Sequence, residues 1–81
     1  MNSILARLIG DRIAAQRLAR KMTQQEMADQ MGVSRSYVSR VEVGLVGFSV
    51  DSLYTLAGVL RCEVFELLPS RRQVNNGAGG R

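Results

Sequence analysis

Apolar positions in this 81-residue chain recur at helical spacing and nowhere alternate over a useful length. Leu5, Leu8, Ile9 and Ile13 share one side of a first predicted helix, about Ser3 to Arg20. Met27, Ala28 and Met31 give an apolar side to a second, about 23–31. Tyr37, Val38 and Val41 do so for a third, about 34–42. Leu53, Leu56, Ala57 and Leu60 fall at i, i+3, i+4 and i+7 of a fourth. Ser49 caps that helix, and Asp51 sits in its first turn, where the helix dipole favours negative charge. A short fifth helix, about Glu63 to Leu68, stops before Pro69, because a residue preceding proline avoids helical geometry. The run from Leu45 to Val50 has strand-like content, but the helix signals on both sides favour a loop. From Ser70 to Arg81 the chain carries Asn75, Asn76, Gly77, Gly79 and Gly80 and almost no apolar side chain, the composition of a disordered tail. The pattern predicts an all-α, compact five-helix domain over residues 1–69, with a tail over 70–81. Its expected core is Ile13, Met22, Met27, Ala28, Met31, Val33, Val38, Val41, Leu53, Leu56, Ala57, Leu60, Cys62, Val64 and Leu67.

The second and third helices carry start and stop signals in register. The Thr23 hydroxyl can cap the second helix while Glu26 reaches back, a capping box. Ala28 is small enough to let the next helix approach closely. Gly32 suits the left-handed turn that ends the helix, Val33 plugs that turn into the core, and Ser34 caps the third helix.

At about 100° per residue, counting from Arg35, the side chains Arg35, Ser36, Ser39 and Arg40 occupy an arc from roughly 0° to 140°. Tyr37, Val38 and Val41 lie between roughly 200° and 300°. The apolar arc therefore faces inward and an arginine-serine arc faces out. On an isolated helix such an arc is usually no more than a solvated face. Here it follows a capping box, a small alanine, a turn glycine and a second cap. Arginine forks match the two acceptors of guanine, and serine can donate or accept at several base edges. Arg35, Ser36, Ser39 and Arg40 are thus the candidates for base contacts in a DNA major groove.

Composition adds limits. The formal charge is +4, which suits a polyanionic partner, though many small domains are basic. There is no histidine, and Cys62 is the only cysteine, so no intramolecular disulfide is possible and no zinc site has its usual ligands. Cys62 reads as a small core residue in a reducing cytoplasm. No apolar run approaches the ~18 residues of a membrane span, and Arg7 interrupts the N-terminal stretch, which makes no convincing signal peptide. An enzyme is not expected: the carboxylates show no paired spacing, the serines lack a base partner, and no phosphate-binding glycine loop occurs.

The chain resembles the phage-repressor and Cro type of helix-turn-helix domain, also called the xenobiotic-response-element family. Thr23-Gln24, Met27-Ala28, Met31-Gly32-Val33-Ser34, Tyr37 to Glu42 and Gly44 carry the likeness, which extends over roughly residues 8 to 69. It implies a lambda-repressor-like fold that binds double-stranded DNA without cofactor, metal or small-molecule ligand. It implies that Gln24 hydrogen-bonds a phosphate, with Thr23 and Tyr37 as further phosphate contacts. Arg20 and Lys21, just ahead of the motif, are candidates for the same task or simply solvated charges. It also implies an ion pair between Arg17 and Glu42 that joins the first and third helices and orients more than it stabilises, because buried pairs roughly offset their own desolvation.

Four positions depart from the family pattern. Gln16 replaces an apolar residue of the first helix. Lys21 and Arg61 replace glycines that commonly end helices. A lysine forced to positive φ costs on the order of 1 kcal/mol, so a different turn is expected at Lys21. The loop after the third helix, often basic in the family, is uncharged here. Either Phe48 folds that loop onto the core, or Leu45, Val46 and Phe48 join Phe65 and Leu68 in a homodimer interface. The function implied is a sequence-specific transcriptional regulator acting as a homodimer on a palindromic operator. A phage-type repressor, an antitoxin and the controller of a restriction-modification operon are all sub-readings. Arg35 to Ser39 and the Ser49 to Leu53 segment look similar to the controllers. The rival class is an antitoxin-like module that masks a partner protein.

Overall fold

A computed structural model describes residues 3–79. Five α-helices and one 3-10 turn follow in order: α1 (Ser3–Ala19), α2 (Gln24–Met31), α3 (Arg35–Glu42), α4 (Val50–Leu60), the turn Val64–Leu67, and α5 (Arg71–Gly79). There is no strand among the described residues. The all-α expectation holds, and Leu45 to Phe48 is a loop. α1 is the hub, packing against α3, α4, the 3-10 turn and α5, while α2 packs on α3 and α4.

Helices α1 to α4 all close in the same way. A backbone N–H two or three residues beyond each end reaches back five residues: Met22 to the Arg17 carbonyl at 3.1 Å, Val33 to Ala28 at 3.0 Å, Leu45 to Arg40 at 3.0 Å, Cys62 to Ala57 at 3.0 Å. This closure needs a left-handed residue just before the donor. Gly32 and Gly44 supply it with φ of 70° and 85°. Lys21 and Arg61 supply it too, at φ of 55° and 53°. The different turn expected at Lys21 does not occur. Met22 is buried in the core, so sinking it holds the lysine in a conformation it would not choose alone. Lys21→Gly should therefore raise stability by about 1 kcal/mol, read from a urea midpoint. A midpoint at or below that of the parent would show that the turn is unstrained.

Ile13, Met27, Ala28, Val38, Val41, Leu56, Ala57, Leu60 and Leu67 are buried as expected, and Ile9 and Ala6 join them. Met31, Val33, Leu53, Cys62 and Val64 are half-buried against that cluster rather than inside it. Burial, with the nearby Glu66 carboxylate adding to it, pushes the Cys62 thiol above its ordinary pKa. The thiolate is then scarce at neutral pH, as suits a packing residue. Gln16 accepts the Arg20 guanidinium at 2.7 Å, so the family's apolar position has become polar and satisfied.

The C-terminal end differs from expectation twice. The fifth predicted helix is only the 3-10 turn, its start held by the Glu63 N–H donating to the Glu66 carboxylate at 2.8 Å. The expected disordered tail is helical over Arg71–Gly79. Ser70 and Gln73 form a capping box at 3.1 and 2.9 Å, and Arg12 on α1 donates to Gln73 at 2.7 Å. Val74 is half-buried. Contact with α1 therefore overrides a composition that disfavours an isolated helix. The last two residues of the expected tail lie outside the described ones.

Candidate nucleic-acid interface

The motif forms as its local signals require. Thr23 Oγ1 accepts the Glu26 N–H at 3.0 Å, and Glu26 Oε1 accepts the Thr23 N–H at 2.8 Å. Ser34 Oγ accepts the Tyr37 N–H at 3.0 Å. Ala28 is fully buried where α2 meets α3. These caps satisfy helix-end donors and hold α3 against the body at a set angle.

The outward edge of α3 is Arg35, Ser36 and Arg40, all exposed, with Ser39 half-buried beside them. Arg35 is exposed, with no partner among the described residues. Arg40 is held more closely: its Nη1 lies 3.4 Å from Ser36 Oγ, and its guanidinium carbon sits 5.8 Å from the centre of the Tyr37 ring. Tyr37 is half-buried, and its ring also walls an apolar hollow with Met31, Val33, Val41 and Phe48. An arginine resting on an aromatic face loses less freedom when it meets a base.

Behind this edge lies the Arg17–Glu42 pair. Arg17 Nε donates to Glu42 Oε2 at 2.6 Å and Nη2 to Oε1 at 3.1 Å. Arg17 Nη1 donates to the Met22 carbonyl at 2.7 Å. Both side chains are buried. A third partner was not foreseen: Gln24 Nε2 donates to Glu42 Oε1 at 3.0 Å. Gln24 is half-buried at the first position of α2.

The remaining candidates divide. Thr23 and Lys21 are exposed. Arg20 is committed inside the domain, its Nη1 on Gln16 and its Nη2 on the Arg61 carbonyl at 2.9 Å, where it satisfies the end of α4. It shares a polar hollow with Lys21, Glu26, Asp29 and Arg61. Of the proposed dimer residues, Val46 and Phe48 are half-buried against the core, so the monomer already uses them. Leu45 and Phe65 are 68% and 72% exposed, and Leu68 is exposed as well. Val43, Val50 and Tyr54 are exposed apolar side chains that the sequence pattern did not single out.

Sequence reasoning also missed the glycines that let α1 sit on α3. A Cβ on Gly10 would lie 2.5 Å from the Val41 carbonyl oxygen, and one on Gly44 would lie 2.7 Å from the Arg7 Cα. The available signal was a lone glycine inside a helical pattern, which often marks close packing.

Among the described residues no group of side chains is arranged to hold a metal ion, and no helix is long and apolar enough to cross a membrane.

Comparison with known proteins agrees with this geometry. A helix-turn-helix family model matches residues 13–67. An immunity repressor protein of Bacillus phage phi105 is 38% identical over 56 residues, 69% of this chain, which spans 39% of that repressor's length. The crystal structure of the restriction-modification controller protein C.AhdI from Aeromonas hydrophila superposes with a TM-score of 0.71 at 33% identity, over 78% of this chain and 96% of that one. A hypothetical transcription factor, NHTF, from Neisseria shares the fold, with a TM-score of 0.74 at 24% identity over 86% and 80% of the two chains. The chain belongs to the helix-turn-helix family, of the phage-repressor and Cro type, and is a DNA-binding transcription regulator.

Proposed function

We propose that this regulator recognises a palindromic operator as a homodimer, with α3 of each copy in the major groove and half-sites ~34 Å apart. The observation that carries the reading is the outward edge of α3, where Arg35 is exposed and Arg40 rests on Tyr37 and Ser36. Thr23, Lys21 and Gln24 then meet phosphates, which position the domain without reading sequence. The Thr23 hydroxyl accepts from Glu26, so its proton remains for a phosphate oxygen. Among regulators, the controller of a restriction-modification operon has the best support, because the likeness to C.AhdI runs over 96% of that protein's chain. Such a regulator acts in the cytoplasm. Selection of bound sequences from a random pool, followed by a gel shift on the region upstream of its own gene, tests the reading. Recovery of no consensus, or of one without two-fold symmetry, overturns it.

Arg35→Ala and Arg40→Ala should each cost about 1–3 kcal/mol on the selected operator and much less on random DNA. Equal losses on the two DNAs would reassign these arginines to phosphates.

Leu45, Phe65 and Leu68 are the exposed apolar residues we assign to the dimer interface, Phe65 foremost, because a large aromatic with no place in the core is a good interface anchor. Since Phe65 is 72% exposed, Phe65→Asp should leave the fold intact and yield a monomer that binds the operator poorly. Sedimentation of the parent as a monomer at tens of micromolar would sink the assignment, as would a variant that stays dimeric.

A further inference from the structure

We propose that Glu42 is a positioning residue for DNA docking: its buried carboxylate, clamped by Arg17, sets which way the Gln24 amide faces and so makes Gln24 a hydrogen-bond donor to a backbone phosphate. The proposal rests on the reading of Gln24 as a phosphate contact and adds to it a cause for the amide's orientation.

An ionised carboxylate only accepts hydrogen bonds. The end of the Gln24 amide facing Glu42 must therefore be its nitrogen, in accord with the 3.0 Å contact from Nε2 to Oε1. An amide nitrogen carries two hydrogens. One is spent on Glu42, and the other stays available to an oxygen of DNA. An unrestrained glutamine flips between two nearly equivalent settings, and in one of them its carbonyl oxygen would meet the phosphate and repel it. Glu42 removes that setting.

The carboxylate can do this because it cannot itself turn. Arg17 holds it with two arms, at 2.6 and 3.1 Å, in a fork that fixes its plane. The third arm of Arg17 holds the Met22 carbonyl at 2.7 Å, in the turn just ahead of α2. The end of α1, the start of α2 and the end of α3 thus converge on one buried carboxylate. Gln24 is also the first residue of α2, at the helix end whose free N–H groups suit an anion.

The test is a double-mutant cycle with Gln24→Ala and Glu42→Gln, read as affinity for random duplex DNA and as its salt dependence. A glutamine at 42 is isosteric but can offer its own amide to the Gln24 oxygen, which frees the flip. Each single change should weaken binding to random and operator DNA alike, by roughly fivefold. The double variant should bind no worse than Gln24→Ala alone, because Glu42 acts through Gln24. Losses that multiply overturn the proposal, since a purely structural Glu42 would act whether or not Gln24 is present. A neutral Glu42→Gln beside a weakened Gln24→Ala overturns it while sparing the phosphate contact. A neutral Gln24→Ala overturns both. If a melt shows Glu42→Gln to be unfolded, Arg17→Lys enters the same cycle: it keeps the carboxylate but replaces the fork by one rotatable donor.

Discussion

Gly10→Ala should leave little folded domain. The added methyl would lie 2.5 Å from the Val41 carbonyl oxygen and 2.7 and 2.9 Å from the Glu42 carbonyl oxygen and carbon. All three atoms are backbone, so no rotamer change gives room. α1 would have to withdraw from the end of α3. That movement pulls Ile9 and Ile13 out of contact and stretches the Arg17 fork. Overpacking usually costs ~1–3 kcal/mol, and here the lost packing adds to it, so a total of at least ~3 kcal/mol is expected. A small domain has perhaps ~5–15 kcal/mol to lose. At ~4–8 °C per kcal/mol, the melting temperature should fall by well over 10 °C. Alanine is otherwise the better helix former by ~1 kcal/mol, so an unchanged or raised melting temperature is a real alternative and would refute the close approach.

Arg17→Met should be comparably severe for a different reason. The substitution keeps an apolar stem of similar length but leaves Glu42 buried at 8% exposure without its counter-charge. Gln24 then remains as the single side-chain partner recorded for that carboxylate. The Met22 carbonyl loses the Arg17 arm as well. Breaking one side of such a pair typically costs ~3–5 kcal/mol, mostly as the burden of the stranded charge. Replacing both partners removes that burden. The double change Arg17→Met with Glu42→Leu should therefore recover most of the lost stability. If the double variant is as unstable as the single, the loss reflects shape and not charge. Equilibrium unfolding in urea on the three proteins decides between them, and the double variant should still lose the Gln24-dependent part of its DNA affinity.

What the sequence determined by itself is what neighbours along the chain decide. Helices α1 to α4 follow from apolar spacing. The starts of α2, α3 and α4 follow from Thr23, Ser34 and Ser49, whose hydroxyls need only a backbone N–H three residues away. The outward edge of α3 follows from the 3.6-residue turn once Val38 and Val41 are buried. The pairing of Arg17 with Glu42, 25 residues apart, came from resemblance and not from local pattern. Asn and Gly content alone points to a disordered tail, but Ser70 and Gln73 form a capping box and α1 offers a surface, so the segment is helical.

Tertiary structure alone decided the rest, because those outcomes depend on atoms distant in sequence. Lys21 and Arg61 take left-handed geometry since Met22 and Cys62 must turn inward to the core. Phe48 packs against the core and walls a hollow with Tyr37 and Leu56, whereas Phe65 stays exposed. Arg20 donates to the carbonyl of Arg61, a partner 41 residues along the chain that no local pattern marks. Gln24 faces a buried carboxylate because α1, α2 and α3 meet at Glu42, where a charge taken out of water must collect every donor within reach.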